Sequence, residues 1–258
     1  MPDYTALHHT LTAHIDAAIA AGHEAGVQLA VYRHGQLIVD ITRGTRDAAG
    51  TPLRPDDMTL VWSTSKGITA TAMHILAERR LIEYDDAIAD YWPAFAAHGK
   101  GNITIRHLMS HTAGVYEVPQ SAAPDYTVMR DYDRICAIMA DMHPVHPPAQ
   151  QHVYHALTYG WPLAKVAEAV THMSFSDFIQ REICTPLGIT DLFMGLPASR
   201  TGDVVPLSHD ATPEVLYANP DNPLPDPTIM ANDTAVLATC IPAANMVASA
   251  RAVARVYA

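Results

Sequence analysis

The period of the hydrophobic positions changes several times along the chain, and each change marks an element. Leu7, Leu11, Ile15 and Ile19 recur at helical spacing over residues 6–21, and Gly22 stands where a left-handed residue would end that helix. Val27, Leu29 and Val31 then share one face of a period-two run, as do Leu37, Val39 and Ile41. The pair His34-Gly35 between the two runs predicts a β-hairpin with a two-residue turn. After a turn-rich stretch from Arg43 to Asp57, Trp62 leads into an amphipathic helix that starts at Ser63, with Ile68, Ala72, Ile75 and Leu76 as its buried stripe.

Beyond that point the pattern is mainly helical. Thr104 reads as the N-cap of a short helix carrying Ile105, Leu108 and Met109, which His111-Thr112-Ala113-Gly114 closes with a turn glycine. Further helices are predicted over 125–142, 158–172 and 174–184, the last ended by Pro186-Leu187-Gly188. Residues 143–148 form a proline-rich loop, and the proline-rich stretch 197–228 reads as a surface excursion. A final helix is expected from near Asn245, still running at Ala258. There are no repeats. The 258 residues read as a single domain, with a helix and hairpin in 1–60 and a mainly helical lobe in 61–258.

Composition narrows the function. A hydrophobic content of 49% with 17% charged residues describes a globular chain. Sixteen basic against 27 acidic residues, net −11, argues against a nucleic-acid backbone or an anionic membrane as partner. The three cysteines lie far apart without a C-x-x-C pair, as reduced thiols in a cytoplasmic protein would. The N-terminus lacks the basic and apolar regions of a secretory signal, and no apolar run is long enough to span a bilayer. A cytoplasmic location is therefore the expectation. His107 and His111 are four apart but no third ligand is evident, and dinucleotide and P-loop fingerprints are missing, so no metal and no cofactor are expected. The G-x-S-x-G nucleophile elbow is also absent.

What the chain does carry is Ser63-Thr64-Ser65-Lys66 at a helix start. A serine hydroxyl is a weak nucleophile until a base takes its proton. Three residues along a helix is one turn, so Ser63 and Lys66 share a face. The N-terminal end of the helix dipole favours an oxyanion at Ser63 and a neutral amine on Lys66.

Several blocks extend this motif. Trp62-Ser63-Thr64-Ser65-Lys66-Gly67, then Leu81 to Asp86, then Ile103 to Val115 with its His111-Thr112-Ala113-Gly114, then Tyr154-His155-Ala156-Leu157-Thr158-Tyr159-Gly160-Trp161, then Phe178 to Pro197 follow in order. Together they resemble the serine β-lactamase and penicillin-binding-protein superfamily, in its class C-like branch and most closely the family VIII carboxylesterases. The resemblance implies an α/β (α+β) β-lactamase-like fold and a small-molecule ester or amide substrate. It implies Ser63 as acylated nucleophile, Lys66 as its partner in proton transfer and Tyr154 as general base. The Ser63 N–H would be one of two oxyanion donors.

Two departures from the family pattern shape the expectation. Ala156 stands where the family's Y-x-N element has an asparagine that contacts the acyl-amide group of β-lactams and peptides, which tilts the reading toward simple esters. The family's third motif, on a later strand, supplies the second oxyanion donor, and the sequence ends before such a strand. On the family pattern His111-Thr112-Ala113-Gly114 is a structural turn and not that motif. The chain thus reads as C-terminally truncated. Loss of one oxyanion donor costs about 2.7–4 kcal/mol, so weak or absent turnover is expected. The alternatives are a β-lactamase or D-alanyl-D-alanine peptidase, and an inert fragment or interaction protein with an open sheet edge. Nothing in the sequence fixes an oligomeric state.

Overall fold

A computed structural model describes residues 3–117, 126–208 and 227–258. Helix α1 (Thr5–Ala20) lies against β2 of the hairpin formed by β1 (Gly26–Arg33) and β2 (Gln36–Gly44). The register follows the alternation, with Leu29 opposite Ile41 and Val31 opposite Val39. His34 (φ 49°) and Gly35 (φ 75°) are both left-handed, as a type I′ turn requires. Strand β3 (Thr59–Leu60) leads to a single 3₁₀ turn over Trp62–Thr64, and only then to α2 (Ser65–Glu78). The helix expected to begin at Ser63 therefore starts two residues later. Trp62 adopts φ 47°, which bends the chain just before Ser63.

Next come α3 (Ile88–Tyr91) and α4 (Ile105–Met109). Thr104 caps α4 as predicted: its hydroxyl accepts from the His107 N–H while His107 Nδ1 accepts from the Thr104 N–H. The helix expected over 125–142 is divided into a 3₁₀ segment (Tyr126–Arg130) and α5 (Tyr132–Asp141), because Asp131 turns extended and caps the second piece; residue 125 lies outside the described residues. Helix α6 (Gly160–Thr171) ends on left-handed His172. The stretch 174–184 forms α7 (Phe175–Ile179) and a π-helical segment, followed by α8 (Thr185–Leu187), with left-handed Gly188 as the stop.

Strand β4 (Leu192–Phe193), α9 (Pro227–Asn232) and α10 (Thr234–Ala238) follow. Most of the proline-rich excursion, residues 209–226, lies outside the described residues. The last helix differs from expectation. Residues Val247–Ala248 form strand β5, and α11 (Ala250–Val256) starts only after Ser249, whose hydroxyl caps it by accepting from the Ala252 N–H. Pairing explains the difference: β5 is the middle strand of a three-stranded antiparallel sheet, β3-β5-β4, so its backbone groups are taken by two neighbours. Helix α11 packs on β1 and ties this end of the chain to the hairpin.

The core lies between α2 and α6. Ile68, Ala72, Met73 and Leu76 of α2 are fully buried, as are Trp161, Leu163 and Val166 of α6. Two buried charges are satisfied structurally. Asp57 accepts from Arg46 at 2.8 Å and from Arg54. Lys100 donates to the carbonyls of Ala97, Ala140 and Met142, the last two at the C-terminal end of α5. Among the described residues no helix is long and apolar enough to cross a membrane.

Candidate active site

Ser63, Lys66 and Tyr154, the three residues singled out by the sequence, converge. The 3₁₀ turn delivers Ser63, and the first turn of α2 puts Lys66 Nζ 3.2 Å from Ser63 Oγ. Tyr154 arrives on the loop before α6 with its ring centroid 4.7 Å from Nζ. Its phenol hydrogen-bonds with Lys66 and with Ser63. Tyr154 is 51% exposed, so the phenol stands on the rim where a substrate or water can reach it.

Lys66 has two further partners, the carbonyl oxygens of Ala156 at 2.7 Å and Ala243 at 3.0 Å. Both can only accept. A neutral amine has two N–H groups and one lone pair, so donating to these two carbonyls leaves the lone pair for the side shared by Ser63 Oγ and the Tyr154 phenol. Burial depresses the Lys66 pKa, against the opposing hydrogen bond and charge of Tyr154. The geometry thus suits an amine that takes the Ser63 proton and an ammonium that returns it.

A second tyrosine, Tyr159, lies 5.8 Å from Lys66 Nζ by ring centroid. The environments of the two phenols set them apart. Burial pushes Tyr159 up to about 12. Burial also works against ionisation of Tyr154, but its hydrogen bonds to Lys66 and Ser63 and the Lys66 charge outweigh that and hold it below the usual phenol range. Of the two, Tyr154 is the phenol that gives up its proton more readily.

No residue pattern marks the segment that holds Ala243, since its contribution is a backbone carbonyl. Residues 241–246 wrap past the start of α2: Thr69 Oγ1 donates to Pro242 O at 2.7 Å, and the Met246 N–H donates to Ser65 Oγ at 3.0 Å. Buried Asn245 closes the segment, accepting from the Ile241 N–H and donating to the Val236 and Thr239 carbonyls. Helix α6 approaches from the other side. A Cβ on Gly160 would lie 2.6 Å from Ala243 N and 2.9 Å from Pro242. Gly160→Ala is expected to destabilise the protein by about 1–3 kcal/mol through overpacking and to lower activity by shifting Ala243 O from Lys66. Thermal unfolding and ester turnover measured together check both effects.

His107 and His111, the pair weighed as metal ligands, have other partners: His107 closes the α4 cap and His111 Nδ1 accepts from the His155 N–H. Among the described residues no group of three or more His, Cys, Asp or Glu side chains is placed to hold a metal.

The comparisons with known proteins agree on one family. A family model described as Beta-lactamase matches residues 11–258. The chain is 34% identical over 256 residues to the esterase/beta-lactamase LipL of Mycobacterium tuberculosis, covering 90% of this chain and 57% of that protein. It is 27% identical over 227 residues to esterase EstB of Burkholderia gladioli, covering 82% of this chain and 57% of that protein. The chain thus spans a little over half the length of these curated relatives. Among solved structures, a family VIII carboxylesterase superposes with a TM-score of 0.86 at 31% identity, covering 97% of this chain and 68% of that one. A penicillin-binding-protein homologue from Caulobacter crescentus gives 0.84 at 31%, covering 98% and 68%.

Proposed function

The chain belongs to the beta-lactamase family and has its fold, and on that footing we propose that it is a serine hydrolase of carboxylic esters acting through an acyl-enzyme on Ser63. The observation that carries the reading is Lys66, donating to two carbonyls with its remaining valence turned to Ser63 Oγ. The Ser63 oxygen attacks the ester carbonyl while its proton passes to the Lys66–Tyr154 pair. The tetrahedral intermediate collapses, the carbon–oxygen bond to the alcohol breaks, and the departing alkoxide takes the proton back. Water, deprotonated by the same pair, then attacks the acyl-enzyme and frees the acid.

The Ser63 N–H, at the dipole-positive start of α2, supports one oxyanion contact. Ala156 supports esters over amides, since its carbonyl serves Lys66 and its methyl offers no amide to a β-lactam. The names of two relatives, an esterase/beta-lactamase and an esterase, both include ester hydrolysis, the first alongside β-lactam cleavage. A cytoplasmic setting belongs to the proposal, supported by three free thiols.

The test is a parallel assay on p-nitrophenyl acetate and a chromogenic cephalosporin. Ser63-dependent ester cleavage with slower or absent cephalosporin cleavage is the expected result. Preferential cephalosporin cleavage would replace the ester reading with the β-lactamase one, and absence of any fluorophosphonate adduct on Ser63 would defeat both.

A further inference from the structure

Tyr154 sits on an exposed loop, yet its phenol has to meet Lys66 and Ser63 within hydrogen-bond range. The segment 111–115 supplies the rigidity. Val145 N–H donates to Gly114 O at 2.8 Å, Ala149 N–H to Thr112 O at 2.9 Å and Val153 N–H to His111 O at 3.0 Å. On the other side of the tyrosine, the His155 N–H donates to His111 Nδ1 at 3.1 Å. His111 therefore holds the amides that immediately precede and follow Tyr154, one through its carbonyl and one through its ring. The ring itself lies 4.9 Å from the Tyr154 ring and 5.1 Å from that of Tyr159. Its backbone is left-handed, φ 59°, and this conformation turns carbonyl and side chain toward the same loop.

We propose that His111 is the positioning residue of Tyr154, clamping the loop on both sides of the tyrosine so that the phenol faces Lys66 and Ser63. The segment His111-Thr112-Ala113-Gly114 is then more than the end of α4. It is the template on which the base-bearing loop is laid.

The clamp demands a particular state of the imidazole. Nδ1 must keep its lone pair for the His155 N–H, so the ring is neutral with its proton on Nε2. The surroundings enforce this: burial, followed by the neighbouring His155, Lys66 and His152, lowers His111 to about 4. His155 is itself held neutral, its Nδ1–H donating to Val153 O and its Nε2 accepting from the Val115 N–H. The groups facing His111 are thus Tyr154, Tyr159, His152, His155 and Lys66, with no carboxylate among its ring contacts to stabilise an imidazolium. Because its pKa is depressed on folding, the stabilisation His111 gives is complete above about 6.5 and is lost as pH falls toward 4.

The inference rests on the Ser63–Lys66–Tyr154 reading, so its test has a readout that does not need turnover. His111→Gly and His111→Asn both tolerate the left-handed backbone, but only asparagine keeps an acceptor near the place of Nδ1. The ultraviolet phenolate titration of Tyr154 is taken as the difference between each protein and the same protein carrying Tyr154→Phe. His111→Gly is expected to return that titration upward toward the ordinary phenol range and to lower kcat on p-nitrophenyl acetate about 10- to 100-fold, the cost of misplacing a catalytic group by an ångström. His111→Asn is expected to recover most of both. A Tyr154 titration unchanged in a folded His111→Gly variant would overturn the proposal, as would equal losses in the two variants. If His111→Gly does not fold, His111→Asn alone decides: a Tyr154 titration close to that of the wild type supports the clamp, and one returned to the ordinary phenol range overturns it. Wild-type protein without Ser63 labelling but with the titration moving as expected would sink the hydrolase reading and leave the clamp standing.

Discussion

Ser63→Ala is expected to reduce turnover of an activated ester to near the uncatalysed rate, a loss on the order of 10⁴-fold or more, and to abolish the fluorophosphonate adduct. The substitution is clean because Ser63 Oγ takes no part in holding the fold; its contacts are Lys66 Nζ and the Tyr154 phenol. Ser65, two residues on, is the structural serine. It is fully buried, donates to Trp62 O and accepts from the Met246 N–H, so it ties the 3₁₀ turn to the 241–246 segment. Steady-state kinetics and intact-mass measurement after labelling check the prediction. Ester cleavage that survives Ser63→Ala, or a label found on any other residue, would mean that another group does the chemistry.

Tyr154→Phe is the second large effect, a loss of about 10²–10⁴-fold in kcat/KM, the usual contribution of a general base. The ring stays, and with it the contact to Lys66 at 4.7 Å, so unfolding temperature should hardly move. The pH profile carries further information. In the wild type kcat/KM should rise with pH as the Lys66–Tyr154 pair loses its proton, along a limb below the ordinary lysine and phenol values of 10.5 and 10.0, since both groups are lowered. Tyr154 raises the Lys66 pKa through its hydrogen bond and charge. Phenylalanine removes both, so the residual limb should move to lower pH. A limb that stays in place would show that the tyrosine does not share the proton.

Part of this was legible from the chain because it is local. The α1 periodicity, the His34-Gly35 turn and the Thr104 cap each lie within a few residues, where side-chain type and backbone angle are directly linked. Strands β3, β4 and β5 are two residues long, too short to show a period, and exist only because three distant segments meet. The start of α11 differs from the sequence pattern for that reason: Val247 and Ala248 are apolar enough to continue a helix, but β3 and β4 claim their backbone. At the site, Ser63 and Lys66 are a one-turn pair and could be read directly. Tyr154 was reached only through the family resemblance. The carbonyls of Ala156 and Ala243 left no trace, since any residue type offers one. The turn that ends on Gly114 is local and legible, whereas the left-handed angle of His111 and its hold on the Tyr154 loop, 44 positions away, are not.

The central place of β5 also bears on when the Ser63–Lys66 arrangement can form during folding. Lys66 and Ala243 are 177 positions apart, and the strand that fixes the second beside the first pairs with residues from near the start of the fold. Contacts of such sequence separation close slowly, because a long loop has to give up its freedom before they form. Helices such as α2 and α6 can form early on a chain that has no working nucleophile. On the proposed reading, reactivity at Ser63 would come late in assembly, when the long-range pairing that brings Ala243 to Lys66 locks.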